Sequence, residues 1–455
     1  MPSIHENPSL TPRKGLWGRF MGVVEGDYID REACDRAFAR MHRRDAIGDK
    51  IHLFFGLGGL VCLFGPVTMT EIAILPLVVF FVVRVFNTFP LWIHGFGQPF
   101  VLAALALAAY MLVSLGWSPD RTQGLVEMGQ LRWLMAMGFF FPLIEHRTKL
   151  VYALCIGLAI GQIGQLLDAF DGFGIEAIAK LVENHPGRIA GWWHPVIAGD
   201  LLVAAMGLHL PAAMMGRGRT RVVGVAGLAV SAVGVLATGT RGAWAAGLLL
   251  CVLGVLVVVL IRRVPLRRVL IVGGVGVLAL GVAGFVLRDS IMIRINETRA
   301  ELREIEQGDY DSYSGRRLMM YREAAEAFGA HPIVGVGAGG FEAWCDQRGQ
   351  RYGAHAHNST LHTLATLGLV GLGLWGVILF VAFRNAWRWG REGMANPYAL
   401  GPMLGLAGLL LASITDCVHI NNQSVALMGV LAALCPAYAP AQKTPGTHDI
   451  GGSAE

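Results

Sequence analysis

His355 and His357 end a long polar stretch, and from Ser359 the chain turns apolar and helical in its spacing. An imidazole at the first turn of a helix feels the positive end of the macrodipole, which disfavours imidazolium. Such a ring is neutral near pH 7 and accepts a proton, so His357 is the candidate general base. A histidine that anchors a membrane helix at headgroup level is the alternative that position alone leaves open. His355 and His357, two residues apart, are expected to face opposite ways, which argues against metal chelation by the pair.

Arginines supply the second chemistry. Arg241, in Thr238-Gly-Thr-Arg-Gly-Ala-Trp244, sits between two apolar runs. A lone cation there costs a few kcal/mol unless it snorkels or meets an anion. Arg316 and Arg317 follow Ser314-Gly315 and open a segment of helical spacing through Leu318, Tyr321, Ala325 and Phe328. With Ser314 or Gly315 as N-cap, two cations fall in the first turn, the wrong end for the dipole unless an anion such as phosphate shares the site. A solvated basic helix is the plainer reading. The glycine-rich Gly335–Phe341 stretch lacks a Gly-Lys-Ser/Thr ending and a βαβ setting, so it reads as a tight turn rather than a phosphate loop. Arginines with a neutral histidine suit transfer from a lipid-linked diphosphate donor. The guanidinium groups hold the diphosphate and stabilise its charge as the anomeric bond breaks. The histidine removes the proton of the attacking hydroxyl. With no carboxylate nucleophile in view, the displacement is expected to be direct, inverting and independent of metal or cofactor.

These residues need a scaffold, and composition names it. The 455 residues are 54% hydrophobic and only 15% charged, with mean hydropathy +0.53. That is an all-α polytopic membrane protein. Twelve apolar runs are read near 51–67, 70–86, 98–117, 131–145, 149–169, 196–215, 222–238, 243–261, 269–287, 359–383, 398–415 and 424–439. The expected organisation is a cytoplasmic tail over 1–50, transmembrane helices 1–9 over 51–287, a loop over 288–358, helices 10–12 over 359–439 and a cytoplasmic tail over 440–455. Residues 1–50 are polar and carry no signal-peptide pattern; Arg31–Arg44 reads as a basic helix on anionic headgroups or as a solvated tail. Basic connections at Arg147/Lys149, Arg217/Arg219/Arg221, Arg262/Arg263/Arg267/Arg268 and Arg384/Arg388/Arg391 are cytoplasmic by the positive-inside rule. Connections 170–195, 239–242, 288–358 and 416–423 then share the outer side, where the long loop is able to cover a site. The seven cysteines show no paired spacing, although Cys345 and Cys417 fall on one side, where a bond between them is open. A nucleic-acid partner is not expected.

Four short patterns recur in a fixed order. They are Arg188-Ile-Ala-Gly191 with Pro195; Thr240-Arg241-Gly242; Ser314 to Arg317 with Tyr321 and the His331–Gly337 turn; and His357-Asn358 with Gly368, continued by Leu-Val-Gly371. Over residues 185–375 the chain resembles the O-antigen ligase/polymerase superfamily, membrane enzymes that attach or polymerise glycans carried on undecaprenyl diphosphate. The resemblance implies a GT-C-like helical fold of about twelve transmembrane helices in the bacterial inner membrane, with catalysis in the periplasmic loop. It implies His357 as the base, Arg241 and Arg317 as diphosphate ligands, and Arg188 as a further one. Arg316, beside Arg317, leaves the choice between the two open; His355 and Asn358 are secondary candidates, His355 as a second proton carrier. Implied partners are the lipid-linked donor, membrane lipids, and either lipid A-core (a ligase) or a second lipid-linked glycan (a polymerase) as acceptor. A protein O-glycosylating relative is a third reading, disfavoured because no extra C-terminal domain is evident. A lipid-linked oligosaccharide transporter is disfavoured by arginines gathered near one face and by the absence of a visible repeat.

Overall fold

A computed structural model of the chain describes residues 30–180, 185, 187–350, 353, 355–393 and 396–438. Residues 1–29 of the N-terminal tail expected over 1–50, and the whole tail expected over 440–455, lie outside the described residues. Arg31–Arg44 (α1) is a helix capped by the Asp30 side chain, which accepts from Ala33 N–H. Its Cys34, Phe38 and Met41 pack on Leu91, Phe141, Ile144 and Tyr438, so the apolar face of α1 docks on the protein. The exposed arginines occupy its other face, as an amphipathic helix requires.

The described residues are helical, with no sheet beyond an isolated bridge between His185 and Arg188. The dozen expected membrane spans become six or seven by length and apolarity. Arg121–Ala169, which opens with Arg121–Gln130 (α2), is one helical stretch that takes up two of the expected runs, with 3-10 turns at Leu131–Met135 and Phe141–His146. Pro195–Met215 (α3), Arg219–Ala237, Arg241–Arg262 (α4), Leu266–Val286 and Ser359–Glu392 complete the six. Thr68–Val83 and Val85–Phe96, bent by 112°, make a seventh if they are one span. Pro99–Ser114, Gly401–Ala412 and Asn422–Ala433 are apolar but have only 16, 12 and 12 residues. A straight span needs about 20. The chain is a multi-pass membrane protein by the hydropathy of its helices.

Helix α3 is buried on nearly every side, and its glycines admit neighbours at backbone distance: a Cβ at Gly207 would stand 2.4 Å from the Leu404 carbonyl. Small residues serve this purpose between membrane helices. Leu266–Val286, by contrast, is almost wholly exposed and apolar, a surface suited to lipid.

Contacts sort the connections into two ends. At one, Arg262 donates to the Gly390 carbonyl, Arg147 to the Tyr438 carbonyl, and Asn396 to Thr148. At the other, the loops around Arg188, Arg241, His357 and Asp416 meet. The described residues of the 288–358 connection hold three helices: Arg288–Glu306 (α5), Tyr313–Ala330 (α6) and Phe341–Gln347.

Ser359–Glu392 (α7) is not continuous. Gly368 has φ 62°, ψ −161°, which breaks the helix nine residues after it starts. In a bilayer, freed backbone groups must find partners within the protein. The turn after His331 supplies them: Val336 and Gly337 N–H donate to the Ala365 and Thr366 carbonyls, at 2.9 and 2.8 Å. Leu369 and Val370 N–H donate back to Pro332 and Ile333, at 2.9 and 3.2 Å. Tyr110 Oη reaches the Leu367 carbonyl at 3.1 Å. A Cβ at Gly335 would lie 2.3 Å from Thr366 backbone, and one at Gly368 2.4 Å from Ile333 backbone. The glycine-rich stretch is therefore a tight turn plugged into the break. Gly368→Val is expected to cost about 3 kcal/mol or more through strain and displaced backbone. Thermal unfolding in detergent checks it, with Gly376→Ala, whose Cβ would meet nothing within 4 Å, as the silent control.

Candidate active site

His357 closes the loop in a left-handed conformation, φ 49°, one residue before the helix cap. It is thus not in the first turn, as the sequence suggested. Asn358 is the N-cap, its Oδ1 accepting from Leu361 N–H at 2.9 Å while its Nδ2 donates to the Ile414 carbonyl. The His357 carbonyl accepts from Tyr321 Oη at 3.2 Å, and the ring Nδ1 stands 3.4 Å from Asp416 Oδ1. Asp416 is 2% exposed and its other oxygen accepts from Asn421 Nδ2 at 2.5 Å. Burial raises the Asp416 carboxyl, but the bond to His357 and the neighbouring imidazoles outweigh it and hold the group below the usual carboxylate range.

His355 does not point away from His357. Residues two apart in an extended segment share a face, and the two rings meet edge to face with centroids 4.3 Å apart. Burial pushes the His355 imidazole down to about 4. Ligand atoms of His355, His357 and Asp416 lie within 4.8 Å of one another, a set able to hold a metal ion.

The arginines gather beside this corner. Arg241 is the first residue of α4 and meets an anion within its own chain: Nη1 donates to Glu301 Oε2 at 2.8 Å and Nη2 to Oε1 at 3.3 Å. Glu301, on α5, also accepts from Ser314 Oγ of α6. Burial raises this carboxyl, yet these partners keep it below its ordinary value. Arg188 donates to the Thr238 carbonyl at 2.8 Å and to Thr240 Oγ1 at 2.7 Å. Burial, followed by the nearby charges of Arg294, Arg317 and Arg241, lowers its guanidinium to about 10.

Helix α6 begins earlier than the sequence suggested, with Ser312 as N-cap accepting from Gly315 N–H. Arg317 therefore lies in the second turn, one turn before Tyr321 and on the same face. Arg316 is exposed and turns to Asp311, 3.7 Å away, so Arg317 is the one that belongs to the cluster. Asp309 and Asp311, an Asp-x-Asp pair in the 288–358 connection, are both exposed.

Two further residues emerge only from the fold. Arg294 lies beside Arg188 over Gly239, where a Cβ would stand 3.2 Å from Arg294 Nε and 3.3 Å from Arg188 Cγ. Its spacing of four and seven to Thr298 and Glu301 was a legible signal. Asp416, a lone carboxylate opening a short connection, gave none. Cys345 and Cys417 are buried free thiols. Tyr321→Phe frees the His357 carbonyl and is expected to lower kcat by roughly three- to tenfold at little cost in donor KM, read from steady-state kinetics.

Residues 226–376 match the family model described as O-antigen ligase. They contain Arg241, Arg294, Arg317, His355 and His357; Arg188 and Asp416 lie outside the match. No curated protein matches the chain.

Proposed function

We propose that the chain, whose residues 226–376 match the O-antigen ligase family model, is a glycosyltransferase-type membrane enzyme that transfers a glycan from undecaprenyl diphosphate to an acceptor hydroxyl of lipid A-core, at the periplasmic face of the bacterial inner membrane. The observation that carries this reading is the pairing of His357 with Asp416 at the end of the molecule where Arg188, Arg241 and Arg317 gather. Asp416 takes the Nδ1–H of His357, which leaves the Nε2 lone pair toward the acceptor. Nε2 removes the hydroxyl proton as the oxygen attacks the anomeric carbon from the face opposite the diphosphate. The carbon–oxygen bond to the diphosphate breaks, its electron pair leaving with undecaprenyl diphosphate, and the configuration inverts. Arginines spread the developing charge, and Asp416 steadies the imidazolium, as a buried carboxylate does behind a catalytic histidine.

Deletion of the gene, followed by gel analysis of surface lipopolysaccharide, tests the assignment. Loss of all long chains with accumulation of donor is expected. A single repeat left on the core instead identifies a polymerase of the same fold, whose acceptor is a second lipid-linked glycan.

A metal-assisted reading is favoured by the His355–His357–Asp416 set. Under the base mechanism, exhaustive chelation leaves the transfer rate unchanged; loss of activity restored by one divalent ion transfers the roles to that ion.

A further inference from the structure

Arg241 is held to the protein along one edge only. A guanidinium offers two planar forks, one from Nη1 and Nη2 and one from Nε and Nη2. On Arg241 the first fork is taken. Nη1 donates to Glu301 Oε2 and to Thr298 Oγ1, both at 2.8 Å, and Nη2 donates to Glu301 Oε1 at 3.3 Å. Nε–H and the second hydrogen of Nη2 make no hydrogen bond among the described residues. The carboxylate lies deeper than the cation, with 10% of the Glu301 side chain exposed against 34% for Arg241. The bound edge is thus turned to the interior, and the access that Arg241 keeps is left to the other edge.

The groups that hold it are themselves fixed. Thr298 Oγ1 donates to the Arg294 carbonyl one turn earlier at 2.7 Å, which commits the hydroxyl proton and leaves a lone pair for Arg241. Thr298 and Glu301, three apart on α5, share a helix face. Ser314 Oγ donates to Glu301 Oε2, so the carboxylate also ties α5 to α6, three residues before Arg317. This frame sets both the rotamer of Arg241 and its place relative to the helix that carries Arg317.

We propose that Glu301 and Thr298 are positioning residues for the donor, locking Arg241 by its Nη1–Nη2 fork so that its Nε–Nη2 fork is presented to the diphosphate. The inference rests on the reading of Arg241 as a diphosphate ligand. A planar fork matches two phosphate oxygens in one orientation. An arginine free to turn loses rotamer freedom when it binds, and one fixed beforehand does not. The negative charge of Glu301 itself works against the donor, so the gain comes from orientation. A carboxylate that merely stood in for the diphosphate would carry the opposite signature. The donor would have to displace it, and its removal would tighten binding.

Glu301→Gln keeps the length of the side chain and an acceptor for Ser314 but loses one arm of the fork. Thr298→Val removes the hydroxyl while keeping the branched shape, and Thr298→Ser keeps the hydroxyl. All three are assayed with a short-chain polyprenyl-diphosphate glycan and purified lipid A-core in detergent, beside Arg241→Lys, and the unfolding temperature of each is measured. Donor KM is expected to rise about tenfold in Glu301→Gln and about threefold in Thr298→Val, with acceptor KM unchanged and Thr298→Ser restored to within about twofold of wild type. The unfolding temperature falls in Glu301→Gln and stays near wild type in both Thr298 variants, so the Thr298 pair reads orientation apart from stability. Unchanged donor KM in Glu301→Gln and Thr298→Val, with Arg241→Lys impaired, marks a fastening role and overturns this proposal alone. A lower donor KM in Glu301→Gln overturns it too, by making Glu301 a competitor of the donor. Full activity in Arg241→Lys overturns the diphosphate reading of Arg241, and this proposal with it.

Discussion

His357→Ala is expected to lower glycan transfer by about three orders of magnitude, the scale of a lost general base, while donor binding persists. Measurement needs single-turnover transfer and a separate equilibrium titration with the donor. The effect belongs to kcat because the imidazole meets the hydroxyl proton only as the bond forms. The fold is expected to survive. The ring is half-buried at the loop mouth, and its backbone is held by Tyr321 and by the Asn358 cap, neither of which needs the imidazole. His357→Ala leaves Asp416 buried without its imidazole, so the double variant His357→Ala/Asp416→Asn separates lost chemistry from stranded charge. Asp416→Asn alone is expected to lower kcat by roughly ten- to a hundredfold, by losing the orientation of the ring and the steadying of its cation. The sign with pH follows from the depressed Asp416 carboxyl. Its contribution to stability is complete above the ordinary aspartate value and is lost as pH falls through the lower native value. Activity that survives in His357→Ala removes the base role.

Arg317→Lys and Arg241→Lys are the second large expectation, each lowering kcat/KM by about ten- to a hundredfold despite unchanged charge. A lysine offers a point charge where a diphosphate is matched by a planar fork, and it rescues such a site poorly. Donor KM should rise as kcat falls, since the diphosphate is held before and during bond breaking. Arg241 has a structural duty as well. Its guanidinium is the bidentate partner of Glu301, which also fastens Ser314, so three helices meet on one ion pair. Arg241→Ala therefore destabilises as well as inactivates, whereas Arg241→Ala/Glu301→Gln should recover the unfolding temperature and remain inactive. Arg317 has no such internal ion pair among the described residues, and Arg317→Ala should leave stability near wild type. Full activity in both lysine variants removes the diphosphate role.

Much of this site was legible before any coordinates. Arg241 between apolar runs had to snorkel or meet an anion, and Arg317 and Tyr321, four apart, had to share a helix face. What stayed hidden was long-range: Glu301 as that anion and Asp416 behind His357. Each is a lone carboxylate on a separate element, and no spacing links it to its partner. The span count departs from the six or seven long apolar helices for a different reason. Apolar runs register hydrophobicity, but a run can fold as a helix of only 12–16 residues, and only the fold shows where each helix stops. The opposed faces expected of His355 and His357 failed because residues two apart in an extended segment share a face, and the two rings meet.

The seam at Gly368 has a consequence for exchange between related enzymes. Residues 331–370 carry both sides of that seam, so they form a cassette that transplants whole. A chimera joined at residue 350 takes its turn from one parent and its broken helix from the other, and mismatched parents will leave main-chain groups stranded at membrane depth. Specificity swaps should therefore place their junctions before His331 and after Val370.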